Sequence, residues 1–131
     1  VTALTLFETG TWQVRSHTDA AANALADRHY SRRRRFSGRV GGPWHTLVFV
    51  TPCERAFWLT TWTNRPMDGL DAWRCAMFRN EGAGLASDLI RDAMVLTNEL
   101  WRDRVPAADG WVTWIDARRI ASAHPGYCFK Q

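Results

Sequence analysis

Trp73-Arg74-Cys75-Ala76-Met77-Phe78, then Arg79-Asn80-Glu81-Gly82-Ala83-Gly84, then Leu85 to Trp101 is the order that most constrains this chain. An apolar, strand-like run feeds a glycine loop, and the loop opens directly into a helical stretch. Glycines let the backbone come close to an anion, and the N–H groups of a helix's first turn have no intrahelical acceptor. The spacing R-x-x-G-x-G lacks the Lys-Ser/Thr of a P-loop and the third glycine of a dinucleotide fingerprint. A plain capping turn is the alternative to an anion site. The elements on either side decide how much weight each deserves.

Upstream, Leu4–Phe7 and Trp12–Ser16 read as strands around a turn at Gly10. Thr18-Asp19 caps a helix over Ala20–His29, which is rich in alanine. Ser31 to Pro43 combines arginines, serines and glycines and reads as a loop. His45–Thr51 and Ala56–Thr63 are β-branched and aromatic, and the Pro52-Cys53-Glu54-Arg55 turn makes them a hairpin. Asn64–Asp71 is a loop, and the strand before the glycine loop follows it. Within the long helix, Leu89, Ile90, Ala93, Met94, Thr97, Leu100 and Trp101 recur at three- and four-residue spacings, an apolar face for a sheet. Arg102–Gly110 is a polar connection, Trp111–Asp116 a short strand, and Ile120–Gln131 holds Pro125-Gly126 and one short helical turn. This is one α+β domain over residues 1–131, with strands in a meander rather than repeated βαβ units, which argues against a Rossmann arrangement.

Composition bounds the class. Hydrophobic residues at 46% and charged residues at 23% suit a soluble globular domain, and no apolar run approaches the roughly 20 residues of a membrane span. Cys53, Cys75 and Cys128 have no metal-pair spacing, and an odd count argues against a disulfide framework. A reducing, cytoplasmic setting is the simplest reading. Eight tryptophans require large aromatic surfaces in a core or cleft. Trp44, Trp58 and Trp62 are either sheet-face packing, the better supported alternative, or a platform for an extruded base.

The formal charge is +4, and Lys130 is the lone lysine. Arg32, Arg33, Arg34 and Arg35 form an unbroken basic run, flanked by Arg28 and Arg39. Arginine forks match phosphate oxygens, so the cluster suits a nucleic-acid backbone; a solvated loop is the alternative. His29 and Tyr30 end the first helix, where a histidine commonly serves the helix dipole. Asp116 ends an apolar strand and either pairs with Arg118 or Arg119 or acts on a proton. Ser87 falls in the first helical turn, where capping accounts for a serine. Glu81 reads as a solvated charge close to the loop, and Cys128 as a small buried residue.

With strand, R-x-x-G-x-G loop, helix, strand and a terminal tyrosine segment in order, the chain resembles the GNAT acyltransferases. The resemblance implies that Arg79, Gly82, Ala83, Gly84 and Leu85 hold the pyrophosphate of acetyl-CoA or a related acyl donor. It also implies that Tyr127 protonates the departing thiolate. The fold it implies is a GNAT-like mixed, mostly antiparallel sheet, split near the glycine loop, flanked by helices and short of the family's last strands.

Three segments narrow the likeness: Arg28-His29-Tyr30-Ser31-Arg32, Phe78-Arg79-Asn80-Glu81-Gly82, and Asp116 through His124-Pro125-Gly126-Tyr127-Cys128-Phe129-Lys130. Together they resemble the phage Mom-type DNA-modification proteins, a GNAT-like group that alters the exocyclic amine of adenine. That implies a transferase acting on DNA, with Tyr127, Asp116, His29, Tyr30 and Ser87 in the active site and Arg28 and Arg32–Arg35 on the nucleic acid. It further implies iron at His29, Tyr30 and Asp116, an imidazole, phenolate and carboxylate set that suits that metal. The rival readings are an acetyl-CoA-dependent N-acetyltransferase for a small amine or peptide, and a binding module that keeps the fold without the chemistry. A homodimer is compatible with all three.

Overall fold

Alternation along the central hairpin explains the layering. In β3 (Ala56–Trp62) Phe57 and Leu59 point to one face of the sheet, and Ala56 and Trp58 to the other, the two-residue period of a pleated strand. Six of its seven residues are buried, so both faces must be covered. The computed structural model describes residues 11–29, 37–42 and 44–113. It shows how each face is covered.

β1 (Gln13–Arg15), β2 (His45–Val50), β3, β4 (Trp73–Asn80) and β5 (Trp111–Thr113) form one sheet in the order β1-β2-β3-β4-β5. The first four are antiparallel neighbours, and β5 joins β4 in parallel. An antiparallel pair needs only a tight turn, whereas a parallel pair needs a crossover. Here the crossover is helix α2 (Ala86–Trp101), entered through the glycine loop. The mixed, mostly antiparallel sheet agrees with the α+β expectation. β4 runs two residues further than the sequence suggests: Arg79 pairs with Phe57 and Asn80 with Ala56. The register slips between Leu59 and Thr60, whose partners are Met77 and Cys75, so Ala76 is an extra residue bulged out of β4.

Helix α1 (Ala20–Asp27) covers one face through Ala22, Leu25 and Ala26, which pack with Val40, Val48, Val50, Phe57 and Leu59. Asp19 caps it, accepting from the Ala22 N–H over 3.0 Å, as the sequence predicts. Helix α2 covers the other face with Leu89, Ile90, Ala93 and Leu96, against Trp12, Phe49, Trp58 and Cys75. The expected amphipathic face is found, and Cys75 is buried beneath it.

Polar groups inside this second layer are matched. Trp58 Nε1 donates to Thr60 Oγ1 over 2.6 Å, Thr60 shares a hydrogen bond of 3.2 Å with Thr97, and Thr97 Oγ1 donates to the Ala93 carbonyl. Trp12 Nε1 donates to the Leu89 carbonyl, joining the β1 edge to α2. At the start of β4, Trp73, Trp101 and Val105 close the layer. Trp111 meets Trp73 at 5.5 Å and Trp58 at 6.1 Å, both edge-on, an arrangement the ring quadrupoles favour.

Candidate anion site at the glycine loop

Asn80 shapes the loop. Its Oδ1 accepts from the N–H groups of Gly82 (3.1 Å) and Ala83 (2.9 Å), and its Nδ2 donates to the Gly84 carbonyl (2.8 Å). An asparagine that bonds backbone groups a few residues on is a familiar turn-former. Gly82 has φ +94°, a conformation that carries a penalty for any residue with a Cβ. A Cβ there would also lie 2.7 Å from Arg55 Nη2. Beyond Gly82 the chain extends, and the space around Gly84 is open.

Helix α2 begins without a side-chain cap. Leu85 holds the N-cap position and is 66% exposed. The first bonded amides are those of Asp88 and Leu89, both donating to the Leu85 carbonyl. The N–H groups of Gly84, Leu85, Ala86 and Ser87 therefore have no acceptor among the described residues. Such groups carry the positive end of the helix dipole and suit an anion. Ser87 lies two positions inside the helix and is buried; it does not cap the helix, because the N-cap position falls at Leu85, a residue whose side chain cannot accept.

Three guanidinium groups converge on the loop. Arg28 grips Glu81 with both arms, Nε to Oε2 at 2.7 Å and Nη2 to Oε1 at 3.0 Å. Arg79 Nε donates to the same Glu81 carboxylate, and its Nη1 donates to the Arg28 carbonyl at 2.8 Å. Arg55 Nε donates to the Glu81 carbonyl at 3.1 Å, while the Glu81 N–H donates to the Arg55 carbonyl at 2.6 Å. The bonds from Arg28 and then Arg79 hold the Glu81 carboxyl down at about 2, from an ordinary 4.5. Glu81 is thus a clamped anion rather than the solvated charge the sequence suggests.

His29 sits beside this cluster. The chain turns out of α1 at Arg28, and the His29 N–H donates to the Ala26 carbonyl at 2.9 Å. Its side chain is buried and hydrogen-bonded to the Phe78 backbone, one residue before Arg79. Burial, with the Arg79 charge as the second cause, lowers the imidazole pKa below 6.5. The neutral ring can accept a proton or a metal. Packing on β4 accounts for its place better than service to the helix dipole does.

The fold thus brings together Arg28, His29, Arg79, Gly82, Ala83, Gly84, Leu85 and Ser87, separated by up to 59 positions in the chain. Tyr30, Arg32, Arg33, Arg34, Arg35, Asp116, Tyr127 and Cys128 lie outside the described residues. Among the described residues there is no cluster of three histidine, cysteine or acidic side chains fit for a metal, and no helix long and apolar enough to cross a membrane. Arg55 and Asn80 are additions to the site. Asn80 carried a signal, a turn-forming residue just ahead of a glycine loop; Arg55 carried none, because its place depends on the β3–β4 register.

The tryptophans singled out in the sequence divide. Trp58 is core, Trp62 half-buried and Trp44 47% exposed. Trp44 and Trp62 lie at the opposite end of the sheet, since His45 pairs with Trp62 and Thr61 with Arg74 at the start of β4. That is roughly 20 Å from the glycine loop along β4, at about 3.3 Å per residue. Comparison of the chain with family models, curated proteins and solved structures finds no match.

Proposed function

We propose that this protein modifies a nucleic-acid base, the exocyclic amine of adenine in DNA, by an acyl-transfer-like reaction. The observation that carries the donor half of the reading is the run of four open amides from Gly84 to Ser87 at the end of β4, flanked by Arg28, Arg55 and Arg79. A site of free N–H groups and arginines suits a pyrophosphate-bearing acyl donor such as acetyl-CoA.

The acceptor half rests on the resemblance to the Mom-type proteins and on the arginine run. In this reading the amine nitrogen attacks the acyl carbonyl, the carbon–sulfur bond breaks, and Tyr127 gives its proton to the leaving thiolate. His29, held neutral by burial, or Asp116 takes the proton released by the amine. In this reading Ser87, buried in the first turn of α2, is a further active-site group. Arg32, Arg33, Arg34 and Arg35 hold the DNA backbone. A neutral imidazole is also the form that ligates metal: in place of that base role, His29 with Tyr30 and Asp116 would hold iron, which would supply Lewis-acid or redox chemistry.

Mass analysis of nucleosides from the DNA of cells expressing the protein tests this. A deoxyadenosine of increased mass, lost in Tyr127→Phe, is the expected result. An unmodified profile with soluble, folded protein would overturn it. One observation favours a small-amine or peptide N-acetyltransferase instead: Arg28, assigned to DNA by the resemblance, is engaged by Glu81. That reading predicts DNA affinity unchanged when Arg32–Arg35 are replaced, with acetyl-CoA binding retained.

A further inference from the structure

At the far end of the sheet, Trp44, His45, Trp62, Thr63, Asn64 and Arg65 line an open groove of about 470 Å³. That falls within the range of small-molecule sites and is of a size to take one nucleotide. Its walls are aromatic and its rim is polar, with one cation.

The aromatic walls are fixed. The Trp44 ring lies against Gly42 so closely that a Cβ there would come within 2.4 Å of it, although the residue is 47% exposed. Trp62 Nε1 donates to Asp71 Oδ1 over 2.8 Å, which sets the second indole. His45 packs 5.6 Å from Trp62 and edge-on to Trp101 at 6.4 Å. An exposed indole held in place presents a hydrophobic face to solvent with little rotamer freedom left to lose, a favourable state for stacking.

The rim supplies charge. The Arg65 N–H donates to Thr63 Oγ1 over 3.2 Å, which shapes the turn, and its guanidinium makes no ion pair among the described residues. A lipid or other wholly apolar ligand would leave Asn64 and Arg65 without partners. A ligand with a flat ring and an adjoining anion satisfies both wall and rim.

We infer that this groove binds single-stranded nucleic acid, stacking a base on Trp44 and pairing Arg65 with the neighbouring phosphate. The inference rests on the nucleic-acid reading above and gives that ligand a second contact. Roughly 20 Å of β4 separates the groove from the glycine loop, so the stacked base is held in place and is not the one that reacts.

Anisotropy of a labelled short single-stranded oligodeoxyadenylate, titrated with the full chain, provides the test. Trp44→Ala weakens binding about tenfold or more, in line with the loss of one stacked base, and Trp44→Phe recovers most of it. Arg65→Ala lowers the slope of log affinity against log salt by about 0.7, one single-strand phosphate contact. Trp44 and Arg65 are both exposed, so these variants fold, and circular dichroism verifies it. Undiminished binding by folded Trp44→Ala overturns the inference, as does binding of a polyproline peptide in preference to the oligonucleotide. Modified deoxyadenosine made by a Trp44→Ala protein with unchanged affinity would sink the groove alone. Trp44-dependent binding without any modified nucleoside would sink the proposed reaction and leave the groove standing.

Discussion

Arg79 donates from Nη1 to the main-chain carbonyl of Arg28 over 2.8 Å. Arg28 is the C-cap of α1, so its carbonyl is one of those a helix end leaves without an intrahelical donor. The first residue of the glycine loop motif therefore finishes a helix more than fifty positions earlier, and Glu81 ties the same two arginines together. These bonds tie the loop to the end of α1.

Glu81→Gln tests that connection. The carboxyl is held at about 2 in the folded protein, below its ordinary 4.5. Its contribution is complete above about pH 4.5 and is lost as pH falls toward 2. The group is partly exposed, so at neutral pH the variant loses only about 1 kcal/mol. Urea unfolding should show that deficit at pH 7 and its disappearance near pH 2. A constant difference across the range would contradict the clamp.

His29 gives a pH dependence of its own. Its folded pKa is lowered, burial being the main cause, so the unfolded chain binds the extra proton first. Stability from neutral His29 is fully present above about pH 6.5 and falls as pH drops below it. Proton NMR should find this imidazole titrating below 6.5, and His29→Asn should flatten the stability profile between pH 7 and 5. A normal titration would mean that the ring is solvated.

Thr60 and Thr97 separate two kinds of loss. Thr60→Val leaves the buried Trp58 Nε1 without its acceptor, which costs about 1–3 kcal/mol. Thr97→Val removes the acceptor of the Thr60 hydroxyl, a rotor that turns to another acceptor more readily than a fixed indole N–H, and costs less, about 1 kcal/mol. Equal effects in denaturant titrations would show that Trp58 finds another acceptor.

Gly82→Ala places a Cβ at φ +94° against the Arg55 guanidinium. The end of a flexible side chain can yield, so the backbone conformation sets most of the cost, about 1 kcal/mol. Displacing Arg55 also removes its bond to the Glu81 carbonyl. Calorimetry should find weaker binding of acetyl-CoA to the variant; unchanged affinity would exclude the loop as the donor site.

Local chemistry made the elements legible. Asp19 announced its helix, the turn at Pro52–Arg55 its hairpin, and the spacing from Leu89 to Trp101 its buried face. The glycine loop was legible as the entry to a helix because Gly82 and Gly84 stand just before it. What escaped were side chains whose meaning depends on distant partners. Glu81 looked solvated because Arg28 lies 53 positions away, and Arg55 looked like turn filler because only strand register brings it beside Gly82. Trp44 and Trp62 are alike in composition terms, yet the sheet sends them to the end away from the loop.

Asn80 has a consequence for selectivity. Its side chain fixes the loop through three hydrogen bonds, so the directions of the neighbouring open amides are set before any ligand arrives. On the proposed reading, an incoming anion would meet a preset template: it would gain little from inducing a fit and lose heavily when its oxygens are misplaced. Such a template sorts ligands by the spacing of their oxygen atoms, so that two anions of equal charge need not be equal guests.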